Sequence, residues 1–314
     1  VDRGPEKNVS AASLRALLAH AIDYAGLFPP ANLSLEPALR NYAGYLREPE
    51  AWMLGPFILP TAQFDAAGRD ISQFDEQYPL RVSALGPRTD NASAFRQSLS
   101  AAMGAIASFQ ASCGAAASVE QFEMPLPPDV NAELLEAVRP SIAPSQLNTF
   151  WEAPADAAGA VIELMAAQNR AHPERKLGFK LRTGGVTAEA FPSSAQIARV
   201  LMAAANQEVP IKFTAGLHHP VRLFHDSVQT KMHGFLNVLG AGVLALEHSW
   251  RESEIAAMLE DENSASFSFT DVCFAWREWE ISTERIRVHR ELVTSLGSCS
   301  FDEPREDLRA LKVL

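Results

Sequence analysis

Eight short apolar runs, near residues 22, 56, 82, 121, 149, 179, 212 and 267, are each followed by a segment with helical apolar spacing. Strand–helix alternation with short loops calls for parallel pairing, because each helix carries the chain back so that the next strand runs in the same direction. Eight such units close into a barrel. The expected class is therefore α/β, a (β/α)8 TIM barrel, with an N-terminal helix from Ser10 to Ala21 and extra C-terminal helices. The run Ala21-Ile22-Asp23-Tyr24-Ala25 carries the weakest strand signal of the set. If it closed the first helix instead of forming a strand, a doubly wound open sheet would be the alternative.

The remaining strands read as Met53–Leu59, Leu80–Leu85, Val119–Met124, Leu147–Trp151, Leu177–Arg182, Ile211–Thr214 and Ala265–Thr270. Helices are expected at Leu35–Leu46, Phe64–Gln77, Ala92–Gln110, Ala155–Asn169 and Ser193–Ala205, with another capped by Asp129 and running to Val138. After the seventh strand come a long helix, Ser227–Leu246, and a shorter one, Glu252–Leu259. Trp276–Leu296 reads as mostly helical, and the tail from Cys299 starts a last short helix that could fold over one barrel end. No repeat, low-complexity tract or linker composition divides the chain, so one domain over residues 1–314 is expected.

A formal net charge of −11 repels phosphate backbones and anionic lipid, so no nucleic acid and no membrane is expected as a partner. A small anionic metabolite stays open, because a local cationic site can oppose the overall field. Cys113, Cys273 and Cys299 are odd in number and far apart, which argues against a disulfide framework or a zinc ribbon and makes a reducing, cytoplasmic compartment the simplest expectation. The opening Val-Asp-Arg-Gly-Pro-Glu-Lys-Asn has no apolar signal core, and its missing initiator Met points to processing or trimming. Phe274, Trp276 and Trp279 read as outer-layer packing or as the contact of a homo-oligomer.

Active sites of such barrels lie at the C-terminal strand ends. The polar groups there are Asp23, Glu123, Glu152, Lys180, Arg182, Lys212 and Thr214, then His218 and His219, and Asp271 after the last expected strand. Alternation along a strand sets Lys180 and Arg182 on one face and Phe179 and Leu181 on the other. Lys212 and Thr214 oppose Ile211 and Phe213 in the same way. Buried beside a second cation, a lysine has its charged form disfavoured, and the neutral amine is a nucleophile toward carbonyl groups. Arg182 offers a planar fork for a carboxylate or phosphate, or a partner for Glu152. Gly184, Gly185 and Gly216 let backbone N–H groups approach an anion, or simply make tight turns. Adjacent His218 and His219 point to opposite sides of an extended backbone, which disfavours both binding one ion, so one of them is expected to act as an acid–base group. His233 and Asn237 share a helix face that either looks into the mouth or serves a neighbouring loop. Cys299, with no base nearby in sequence, reads as an ordinary buried thiol.

The segments Lys180-Leu-Arg-Thr-Gly and Lys212-Phe-Thr-Ala-Gly, one strand–helix unit apart, resemble the last strands of class I aldolases of the deoxyribose-phosphate aldolase type. The resemblance implies that Lys180 is a Schiff-base lysine and that Lys212 is the neighbour lowering its pKa. It covers only this stretch. Arg182 stands where that family has a small hydroxyl residue, and Gly-Leu-His-His-Pro follows where it turns through Gly-Gly. The whole chain also resembles an uncharacterised bacterial protein family, in the phrases Ile-Asp-Tyr-Ala-Gly-Leu-Phe-Pro-Pro, Lys-Leu-Arg-Thr-Gly-Gly, Thr-Ala-Gly-Leu-His-His-Pro and His-Gly-Phe-Leu-Asn. That likeness brings no assigned activity with it.

The expectation is an aldolase-like lyase acting on an anionic carbonyl compound. Its catalytic set is Lys180, Lys212, Glu152 and His218. Its substrate-binding set is Arg182, Thr214, Gly184, Gly185, Gly216, Glu123, His219, Asn237 and Asp23. No organic cofactor is implied. Two alternatives remain: a lyase, isomerase or hydrolase holding a divalent metal on Glu123, Glu152 and His218 or His219, and a barrel that binds a metabolite without turning it over.

Overall fold

The computed structural model describes residues 10–143 and 145–314; the expectations drawn from the first nine residues lie outside them. Eight parallel strands close into a barrel: β1 (Ile22–Tyr24), β2 (Leu54–Pro60), β3 (Leu80–Leu85), β4 (Ala117–Pro125), β5 (Asn148–Glu152), β6 (Leu177–Arg182), β7 (Ile211–Thr214) and β8 (Val293–Ser298). Each strand pairs with its sequence neighbour, and β8 closes on β1 through Asp23 opposite Gly297. The expected barrel is thus present, with its short first strand in place.

Parity along the strands builds the two layers. Phe179, Leu181, Ile211 and Phe213 are buried on the outer side, under the surrounding helices. The helix after β6, Ser194–Asn206, is set by a capping box: Ser193 Oγ accepts from the Gln196 backbone N–H at 3.2 Å, and Gln196 Oε1 accepts from the Ser193 N–H at 2.8 Å. The helix after β4 starts at Ala132, capped by Asn131, whose Oδ1 accepts from the Leu134 N–H. Asp129, the expected cap, instead accepts from the Ala92 N–H.

The last third departs from expectation. Phe267–Phe269 is a strand, but outside the barrel, in an antiparallel sheet with Cys273–Trp276 and Trp279–Ser282. Its partner lies one tight turn away, so it satisfies its ladder locally. The eighth barrel strand is Val293–Ser298, in a region expected to be helical. Ser295 and Gly297 there break any helical apolar stripe, while Val293 and Leu296 are buried. Asp271 consequently follows a strand outside the barrel and accepts from the Ala12 N–H at the start of the N-terminal helix. That helix begins after Ala11 with no side-chain cap. Residues 223–232 form a small hairpin, Leu223–His225 with Thr230–Met232, and the long helix starts only at Phe235. Among the described residues no helix is long and apolar enough to cross a membrane.

Candidate functional site

Inward-facing polar side chains of β1, β4, β5, β6 and β7 meet in one ionic cluster at the C-terminal half of the barrel. Register places Lys180 beside Lys212 on one side and Glu152 on the other. Glu123 bridges the lysines: its Oε2 lies 2.7 Å from Lys180 Nζ and its Oε1 2.5 Å from Lys212 Nζ. Glu152 Oε2 is 3.1 Å from Lys180 Nζ, and Asp23 pairs with Lys212. Lys212 donates further to Gln121 Oε1 at 2.6 Å. An ammonium has three protons, and Asp23, Glu123 and Gln121 supply three close acceptors.

Charge states follow from that packing. Burial alone pushes Glu123 up, but the two ammoniums outweigh it and hold the carboxyl down at about 2. Burial dominates at Asp23, raising it to about 6 despite Lys212 and the Ser295 hydroxyl, which donates to Oδ2 at 2.8 Å. Asp23 Oδ1 has no hydrogen-bond partner among the described residues and faces the bare Cα of Gly55. Burial works against the Lys212 charge, yet Asp23 and Glu123 raise its pKa overall. Glu152 lies below the ordinary carboxylate range: burial is overcome by Lys180 and Arg182. The like-charge argument from sequence set Lys180 beside Lys212, and the register keeps them neighbours. The structure puts a carboxylate between them, so three acids surround two ammoniums.

Above the cluster opens a cleft of about 340 Å³. Lys180, only 4% exposed, reaches its floor, whereas Lys212 is fully buried below. Arg182, Thr214 and Gly185 line its polar side, joined by His218 and Cys299. Phe28, Pro29, Ile58, Leu85 and Val186 give it an apolar side. The Arg182 side chain is half exposed, with Nε 3.5 Å from Glu152 Oε1, so the pairing with Glu152 read from sequence is present while the residue also lines the cleft. At the ends of β6 and β7 the backbones touch: a Cβ on Gly184 would fall 2.9 Å from Gly216 Cα. Gly216 (φ +77°) and Ala215 (φ +62°) are both left-handed, which costs Ala215 of order 1 kcal/mol and marks a built turn at the cleft wall. Gly184 and Gly216 therefore serve strand approach, and Gly185 alone of the three lines the cleft.

The remaining sequence candidates divide. Asp23 and Glu123 are wholly buried within the cluster, under the cleft, with no surface toward a ligand. His219 turns away from His218, as alternation requires; its Nδ1 sits 2.7 Å from Asp307 and its ring stacks on His225. Asn237 serves loops: Oδ1 accepts from the Arg222 N–H, and Nδ2 donates to the Met258 and Asp261 carbonyls. His233 likewise lies beside Arg222 and the Pro192 carbonyl, with its pKa driven down by burial to about 4. The oxygens that a metal reading needs from Glu123 and Glu152 are engaged by Lys180, and among the described residues no group of three His, Cys, Asp or Glu is arranged around an ion site.

Four contributors escaped the sequence reading. Ser83 and Gln121 are inward polar residues on β3 and β4, detectable only as polar interruptions of apolar strands. Cys299 has its base after all: His218, from the loop after β7, places Nδ1 3.8 Å from the sulfur. Glu303, on the tail helix Asp302–Ala310, lies 3.2 Å from the same nitrogen.

No family model matches the chain, and no curated protein does. Among solved structures, one described as the unique tetrameric structure of deoxyribose phosphate aldolase from Aeropyrum pernix is 11% identical over 98% of this chain and 100% of that one, with a TM-score of 0.47. A likeness at that level decides neither reaction nor substrate, and the barrel stands on its own strand pairing.

Proposed function

We propose that the chain is an enzyme of the lyase class that forms or breaks a carbon–carbon bond next to a carbonyl, through a Schiff base on Lys180. The observation that carries this reading is the placement of the Lys180 amine at the floor of the cleft, against two carboxylates and above a second, wholly buried lysine. The motif resemblance in β6 and β7 points the same way.

In this reading Nζ adds to the carbonyl carbon and the carbonyl oxygen leaves as water, having taken up two protons. Lys180 must first release one proton. With three acids touching two ammoniums, that proton passes to Glu152 or Glu123 inside the cluster, with no net change in its charge. The resulting iminium draws electrons from the adjacent bond, and Glu152 or His218 returns or removes the proton at carbon. Lys212, kept charged by Asp23 and Glu123, fixes Glu123 under Lys180. Arg182 at the rim suits an anionic group on the substrate, and the apolar wall suits a short carbon chain.

The test is α-proton exchange. A Schiff-base lyase exchanges the α-protons of its carbonyl substrate with solvent deuterium, visible by NMR on a panel of aldehydes, keto acids and sugar phosphates. Exchange that Lys180→Arg abolishes supports the proposal. Absence of exchange across the panel, or exchange that survives Lys180→Arg, rejects it.

A further inference from the structure

We infer that Cys299 and His218, braced by Glu303, form a second reactive centre in the cleft: a thiol–imidazole pair able to bond covalently to a small aldehyde or another soft carbon electrophile. Neither residue finds the other through sequence proximity. His218 follows β7, Cys299 follows β8 directly, and the two strands are neighbours in the barrel, with Thr214 opposite Gly297. The tail helix then brings Glu303 against the same imidazole. Both Cys299 and His218 line the 340 Å³ cleft.

The geometry sets the roles. His218 Nδ1 faces Cys299 Sγ at 3.8 Å and Glu303 Oε2 at 3.2 Å, so one N–H is shared between sulfur and a carboxylate. Burial by itself would strip this ring of its proton, but Cys299 and Glu303 outweigh it and raise the pKa to about 9. Glu303 is correspondingly lowered, first by its hydrogen bond to His218. A protonated imidazole next to sulfur is the arrangement in which thiols act as nucleophiles. With an aldehyde, the thiol proton passes to the imidazole as an S–C bond forms and the C=O π pair moves onto oxygen. The His218 proton then neutralises that oxygen, giving a thiohemiacetal with no oxidant or reductant required. With iodoacetamide the S–C bond forms as iodide leaves with the C–I electron pair.

The other cysteines serve as controls. Cys113 and Cys273 are half-buried, more open than Cys299 at 8% exposure, and accessibility alone ranks Cys299 as the slowest to react. The experiment labels the full chain with limiting iodoacetamide near neutral pH and reads the rate at each cysteine by peptide mass spectrometry. The expected result is Cys299 labelled roughly ten-fold or more faster than Cys113 and Cys273. Labelling no faster than the other two overturns the inference, and the wild-type chain alone decides this. His218→Asn should then slow Cys299 alone, roughly ten-fold, with Glu303→Gln giving a smaller fall; equal rates in wild type and both variants also overturn it. A short aldehyde such as glycolaldehyde should protect Cys299, and equally so in Lys180→Arg. Protection that depends on Lys180 would mean the aldehyde sits there and not on sulfur, which refutes the covalent role of Cys299 while leaving the Schiff-base reading intact.

Discussion

Replacing Lys212 with methionine removes the cation at the centre of the barrel and keeps most of its apolar stem. The side chain is fully buried, and its ammonium neutralises Asp23 and Glu123 while donating to Gln121. Without it two buried carboxylates face one another. Glu123 still has Lys180, but Asp23 retains only the Ser295 hydroxyl. Breaking a buried pair by removing one partner costs about 3–5 kcal/mol. Since Asp23 already sits near pH 6, it can take up a proton at modest cost, which places the loss at the lower end, about 3 kcal/mol. At roughly 2 °C per kcal/mol for a chain of this size, Tm should fall by about 6 °C. Urea titration followed by tryptophan fluorescence gives the free energy directly. Two signatures accompany the loss: without Lys212 the Asp23 carboxyl rises above about 6, so Lys212→Met recovers stability as pH falls from above 6 toward about 4, and Lys212→Met with Asp23→Asn is more stable than the single variant. A single variant within about 1 kcal/mol of wild type, or a double variant no better than the single, refutes the view of the cluster as a tightly balanced charge set.

Other expectations follow from particular contacts. Gly55→Ala places a Cβ 2.0 Å from Asp23 Oδ1 and should cost about 1–3 kcal/mol by urea titration; wild-type stability would show that Asp23 can step aside. The folded pKa of His218, about 9, lies above the ordinary imidazole value of 6.5, so its stabilising contribution is full below about pH 6.5 and fades as pH rises through about 9. The Tm gap between wild type and His218→Asn should therefore shrink from about pH 6 to about pH 10, and a constant gap contradicts the assignment. Once a substrate is found, Arg182→Ala should raise KM roughly ten-fold for an anionic carbonyl compound with little change in kcat, and leave a neutral analogue unaffected.

Much of the barrel is readable from strand–helix alternation because each unit announces itself locally. The exception shows the limit. Phe267–Phe269 and Val293–Ser298 both form strands, but strand composition does not say which sheet receives them. The aromatic run completes a hairpin with its nearest neighbour, and the plainer Val-Thr-Ser-Leu-Gly-Ser closes the barrel with β1 and β7. The gathering of Lys180, Lys212, Glu152, Glu123 and Asp23 is legible because inward parity is a property of each strand alone. What bridges what is not legible, since Glu123 enters between the lysines from β4, outside their two-strand register. The pairing of Cys299 with His218 is hidden for the same reason, and so is the use of Asn237 as a loop clamp. Both depend on which distant segments the closed barrel brings together.

The central claim is that Lys180, and not Lys212, bonds to a carbonyl substrate. Borohydride reduction of the chain with a panel of aldehydes, keto acids and sugar phosphates, followed by peptide mapping, tests it most directly. The account predicts a reduced adduct on the peptide carrying Lys180, lost in Lys180→Arg. An adduct on Lys212, or none on either lysine across the panel, would contradict it.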